Sequence, residues 1–130
     1  MDIKEYQEKA KRTVNTNLQD DEQLANLCMG LCGESGEVVD YLKKCIYHSH
    51  SFNLKKLTEE LGDVMWYISN IATLFAIPMT YILDENIRKL ARFCNVEVIV
   101  DNFNILDEKD SPCDKGLEIW QKLYNERKLI

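Results

Sequence analysis

Proline and glycine are scarce in this chain, two and five in 130 residues. Frequent turns need both residues, so their scarcity predicts long regular elements joined by few loops. No apolar run approaches the roughly 20 residues of a membrane-spanning helix, and no membrane association is expected. Positive charge is also short. Sixteen Lys and Arg stand against 22 Asp and Glu, a net charge of −6. Broad nucleic-acid binding needs a basic face, so no stable nucleic-acid complex is expected. A phosphate ligand is still allowed if a metal or local lysines supply the charge. The five cysteines, Cys28, Cys32, Cys45, Cys94 and Cys113, are odd in number and follow no disulfide-framework spacing. Reduced thiols in a cytoplasmic protein are the expectation. The opening Met1–Glu5 has none of the character of a targeting peptide.

What is present is helical periodicity. Ile3, Tyr6, Ala10 and Val14 predict a first helix over residues 2–15, followed by a polar loop. Asp20 or Asp21 is the expected N-cap of a second helix from about Glu22 to Ile46. Its apolar stripe is Leu24, Leu27, Cys28, Leu31, Val38, Leu42 and Ile46, with Cys28 and Cys32 read as small core residues. Gly30, Gly33 and Gly36 interrupt it. Each costs a helix interior about 1 kcal/mol against Ala, which suggests close approach of a neighbour or ligand, or a local bend. After a connector at residues 47–52, Leu54, Leu57, Leu61, Val64, Met65 and Ile68 begin the core face of a third helix over about 53–76. Pro78 suits the first turn of a fourth helix that runs to about Phe93. The alternating Val96–Val100 run gives a weak strand signal, and residues 113–127 a last short helix. The expected fold class is all-α, a four-helix bundle-like domain over 1–94 with a short irregular C-terminal extension at 95–130.

The chemistry-bearing feature is a repeated spacing. Glu34/Glu37 and Glu60/Asp63 are i, i+3 pairs on the second and third helices, and such residues share a helix face. Both pairs border the apolar stripe. If the two helices cross there, four carboxylates meet, and like charges in a partly buried site resist ionising together. A divalent ion removes that conflict, and oxygen-only ligands suit Mg²⁺, whose octahedral shell is completed by water and phosphate. The alternative is a pair of solvated acidic faces.

Several segments in colinear order carry a resemblance. They are Gly30–Asp40 (Gly-Leu-Cys-Gly-Glu-Ser-Gly-Glu-Val-Val-Asp), Lys43-Lys44, His48-Ser49-His50, Glu59–Tyr67 (Glu-Glu-Leu-Gly-Asp-Val-Met-Trp-Tyr) and Asn86–Leu90. Over about residues 6–93 the chain resembles the MazG-like nucleoside triphosphate pyrophosphohydrolases of the all-α NTP pyrophosphohydrolase superfamily. The resemblance implies Glu34, Glu37, Glu60 and Asp63 as Mg²⁺ ligands and catalytic residues, with Mn²⁺ a substitute. It implies hydrolysis of a nucleoside triphosphate to monophosphate and pyrophosphate, and a homodimer or homotetramer whose helices complete the bundle. Lys43 and Lys44 match the family's basic pair, and Asn86 and Lys89 its Asn-x-x-Lys element, as substrate contacts. Tyr67, one turn past Asp63, is placed to line the same pocket. Ser49 replaces the glycine of a His-Gly-His stretch common among relatives. Related phosphoribosyl-ATP pyrophosphohydrolase chemistry and a non-catalytic helical dimerisation module are the competing readings.

Other residues have plainer readings. Cys45, His48 and His50 are close enough in sequence for zinc but have no fourth ligand at a familiar spacing. Trp66 reads as core or interface. Asp40 reads as a neighbour of the metal ligands or as an ion-pair partner of Lys43 or Lys44.

Overall fold

The computed structural model describes residues 1–94 together with Glu118, Ile119 and Lys122. Its described residues are all-α with no strand: α1 (Ile3–Lys11), α2 (Asp20–Tyr47), α3 (Leu54–Leu74) and α4 (Met79–Cys94). The Val96–Val100 strand lies outside the described residues. So does the 113–127 helix, apart from Glu118, Ile119 and Lys122, which are helical.

Helix boundaries follow local chemistry. α2 begins two residues earlier than its apolar pattern predicts, because Gln19 is the N-cap and not Asp20 or Asp21. The Glu22 carboxylate accepts the Gln19 backbone N–H at 3.1 Å, the return half of a capping box. Asp20, Asp21 and Glu22 then fill the first turn, where the helix dipole favours negative charge. At the other end His48 N–H and His50 N–H both donate to Lys44 O. Ser49 between them has φ 57°, the left-handed region that favours glycine. α3 stops in the same way, with Ala76 at φ 55° and Ile77 N–H donating to Ala72 O at 2.8 Å. Pro78 then opens α4, its carbonyl accepting from Tyr81 and Ile82 N–H.

The chain forms two compact units. One comprises Met1–Lys9 and, among the described residues, those from Ala72 onward. Within it the Gln7 side chain donates to Thr73 Oγ1 (3.2 Å) and Ile77 O (2.9 Å) and accepts the Met79 N–H (2.9 Å). One amide thereby satisfies the buried backbone of the α3–α4 corner, where Met79 and Ala72 are enclosed.

The second unit, Ala10–Ile71, holds most of α2 and α3. Leu27 and Tyr41 are its buried residues on α2. Tyr67 of α3 lies so close to Gly30 of α2 that a Cβ there would run into the Tyr67 ring. Close approach is therefore the reason for glycine at 30. Gly33 and Gly36 have no neighbour within 4 Å of an added Cβ. Trp66 is half-buried, set edge-on to Tyr67 at 4.8 Å between ring centroids, and its Nε1–H donates to Thr13 Oγ1 at 2.7 Å. Cys28 and Cys32, expected in the core, are exposed free thiols. The inward face of α2 is centred on Leu27, Leu31, Glu34, Val38 and Tyr41, and the two cysteines stand to one side of it.

Candidate functional site

Glu34 and Glu37 come from the middle of α2, Glu60 and Asp63 from the first half of α3. Ligand oxygens of Glu34, Glu37 and Glu60 all lie within 4.8 Å of one another. Glu34 falls on the half-buried inward face of α2, and Glu37 is exposed. Glu34 is thus further inside than its stripe-edge assignment from sequence. Its pKa is raised, first by burial and then by the charges of Glu37, Asp63 and Glu60. All four sequence-predicted acids therefore share one neighbourhood, Asp63 through its field on Glu34.

The donor set fits a hard divalent cation. It is all oxygen, it comes from two helices, and its negative charge is uncompensated at Glu34. Oxygens around an ion at about 2.1 Å stand some 3–4 Å apart, a small contraction from the spacing here.

One turn beyond Glu37 the situation reverses. Asp40 pairs with Lys43 at 2.7 Å and Lys44 at 2.6 Å. These bonds hold the Asp40 carboxyl down at about 2, and the Asp40 partnership raises the pKa of Lys44. Of the readings open for Asp40, the ion pair is the one observed.

Beside the acids is an open cavity of about 710 Å³. Glu37, Asp40, Tyr41 and Lys44 line it from α2, Ser49, His50, Ser51 and Asn53 from the connector, and Lys56 and Glu60 from α3. Glu37 and Glu60 belong to both the acid cluster and the cavity wall. Lys56 Nζ lies 5.3 Å from the centroid of the Tyr41 ring, a cation–π distance. Burial raises the pKa of the Tyr41 hydroxyl, against the opposing effect of its bond to the Asn53 backbone.

The comparisons with known proteins can be set against this geometry. The profile of the MazG nucleotide pyrophosphohydrolase domain matches residues 22–96. The chain belongs to the MazG family. The match takes in all four acids, the whole cavity and α4. Among curated proteins, the Gene 37 protein of Mycobacterium phage L5 is 34% identical over 73 residues, which are 53% of this chain and 64% of that protein. No solved structure matches.

Within the MazG domain the sequence-predicted substrate contacts are distributed unevenly. Lys44 lines the cavity, while Lys43 is turned to Asp40. Tyr67 is seated over Gly30 and against Trp66, and is absent from the cavity wall described above. Its ring fills the space that Gly30 leaves. Asn86 and Lys89 are exposed on α4 in the other unit. The cavity residues that sequence reasoning missed are Tyr41, Ser51, Asn53 and Lys56. Lys56 sits one turn before Glu60, and that i, i+4 spacing was the signal available for it. Of the proposed zinc ligands, His50 lines the cavity, His48 is exposed and Cys45 is half-buried. No group of three metal-ligating side chains among the described residues includes them.

Proposed function

We propose that this protein is a Mg²⁺-dependent nucleoside triphosphate pyrophosphohydrolase. It cleaves a ribo- or deoxyribonucleoside triphosphate to monophosphate and pyrophosphate in the upkeep of a nucleotide pool. The observation that carries this reading is the convergence of Glu34, Glu37 and Glu60 within 4.8 Å, on the wall of a cavity that also presents Lys44 and Lys56. Hydrolysis of a polyphosphate needs carboxylates for the ion and cations for the phosphate oxygens, and both kinds of group are adjacent here.

Glu34, Glu37, Glu60 and Asp63 are the residues that hold the ion, Mg²⁺ or Mn²⁺. When bound, the ion polarises phosphoryl oxygens and offsets the charge that develops on them. Lys44 and Lys56 receive the phosphate chain from the cavity side, and Asn86 and Lys89 are further substrate contacts. In this reading Glu37 accepts a proton from the attacking water, a role supported by its exposure and its position on the cavity wall.

The protein acts as a homo-oligomer. Supporting this reading, Met29, Val39, Leu61 and Met65 of the α2–α3 unit are exposed, as are Leu83, Ile87 and Leu90 at helical spacing along α4. Apolar surface in such runs marks interaction sites, and a second copy covers it in this reading.

The test is a panel of ribo- and deoxyribonucleoside triphosphates with Mg²⁺ or Mn²⁺, followed for monophosphate and pyrophosphate. Metal-dependent release of both from at least one member is expected. No turnover of any member would overturn the proposal.

A further inference from the structure

Tyr41 is buried, yet its hydroxyl makes two hydrogen bonds to a single distant residue. Asn53 N–H donates to Tyr41 Oη at 2.6 Å, and Tyr41 O–H donates to Asn53 O at 3.1 Å. Asn53 immediately precedes α3 and caps it, its Oδ1 accepting Lys55 N–H (2.9 Å) and Lys56 N–H (3.4 Å). The ring also meets Phe52, 6.3 Å between centroids, and Lys56 over its face. The clasp therefore joins one point on α2 to the residue just before α3.

The spacing of that clasp gives it meaning. Tyr41 lies one helical turn past Glu37 and two turns past Glu34. Asn53 lies two turns before Glu60. A rigid link at 41/53 sets how far α3 slides along α2, and so how closely the carboxylates of the two helices approach. The other links there are the 48–53 connector, whose Ser49 sits in a conformation that L side chains rarely adopt, and the contact of Lys56 with the Tyr41 ring.

We propose that Tyr41 is a positioning residue for the metal site, its hydroxyl fixing the register of α2 against α3 so that Glu34 and Glu37 meet Glu60. The proposal rests on the metal-binding reading given above. Tyr41 acts through the Asn53 backbone, and the effect it controls is ligand spacing.

The test is Mn²⁺ binding, measured calorimetrically on the full chain and three variants without nucleotide. Tyr41→Phe keeps the ring and removes only the hydroxyl. It is expected to weaken Mn²⁺ binding about tenfold, the loss usual when a group supporting metal ligands is removed. Asn53→Ala removes the side-chain cap but keeps the backbone groups that Tyr41 uses. It is expected to lower the unfolding temperature and leave Mn²⁺ affinity unchanged. Glu60→Gln is expected to abolish binding. Unchanged affinity in Tyr41→Phe would overturn this inference alone, as would equal losses in Tyr41→Phe and Asn53→Ala. Absence of Mn²⁺ binding by the unaltered chain would overturn the metal reading and this inference with it. A second measurement needs no variant. Coupling is reciprocal, so Mg²⁺ must slow hydrogen exchange at the Asn53 amide in the unaltered chain, and unchanged exchange there would overturn the inference even if Tyr41→Phe failed to fold.

Discussion

Glu34 and Asp40 stand less than two turns apart on α2, and their surroundings act on them in opposite directions. Asp40 has a lysine on each of its oxygens and a carboxyl held at about 2. Glu34 has burial and three acidic neighbours, and its pKa is raised. The first arrangement is electrostatically complete. The second sets like charges against one another, a conflict that a proton or a bound cation would relieve. A uniform reading of this acidic helix as solvated surface would miss that division, because Asp40 finds its lysines within α2 while Glu34 also meets the acids that α3 brings.

Glu60, which comes from α3, carries the largest expected effect. Glu60→Gln is expected to reduce metal-dependent pyrophosphate release more than about a hundredfold, since even groups one layer outside a metal site commonly cost tenfold or more. Circular dichroism should show the helices retained. A variant still active would assign the acids to solvated surface.

Next in size is Gly30→Ala. The new Cβ would meet the Tyr67 ring, and overpacking of this kind typically costs about 1–3 kcal/mol, readable in urea unfolding. Gly33→Ala has open space and should instead gain up to about 1 kcal/mol of helix propensity in a monomer. If both changes had the same sign, the packing that brings α3 to the Glu34 side of α2 would be in doubt.

Glu34→Gln addresses the pH dependence. A carboxyl whose folded pKa is raised stabilises the fold below its unfolded pKa, and that contribution is lost as pH rises through the folded value. The metal-free protein should therefore unfold at a lower temperature at pH 7 than Glu34→Gln does, and the difference should shrink as pH falls toward 4.5. Mn²⁺ should raise the unfolding temperature of the unaltered chain and do much less for the variant.

Asp40→Asn is expected to have the smallest effect. Its ion pairs are solvent-exposed, and such pairs contribute little. Its folded pKa lies below the unfolded value, so its contribution is present above pH 3.8 and lost as pH falls through about 2. Near neutral pH, thermal unfolding and Mn²⁺ titration should both be close to those of the unaltered chain. A large loss of Mn²⁺ affinity would place Asp40 with the ligands and dissolve the contrast with Glu34.

The helices were legible in the sequence because their apolar residues recur at helical spacing over two to seven turns. Their ends were less so. Gln19 caps α2 through Glu22, and Ser49 and Ala76 leave their helices in a conformation that sequence preference assigns to glycine. The acid cluster was legible because two i, i+3 pairs announce a shared face. Four of the ten cavity-lining residues were not. Tyr41 reads as one more aromatic on a helix until Asn53 is brought to its hydroxyl by tertiary packing. The seat of Tyr67 was hidden for the complementary reason: a glycine in sequence does not say which side chain will occupy the space it leaves, and at Gly30 it is the Tyr67 ring.

Gln7 carries a consequence for the order of assembly. Its partners Thr73, Ile77 and Met79 lie 66 to 72 residues downstream. During synthesis α1 leaves the ribosome long before the corner it secures exists, and closing so long a loop carries an entropic cost that local helix formation does not. α2 and α3 can find each other through the 48–53 connector while the α4 sequence is still being translated. The corner then closes late, when a helix made first returns to a turn made last.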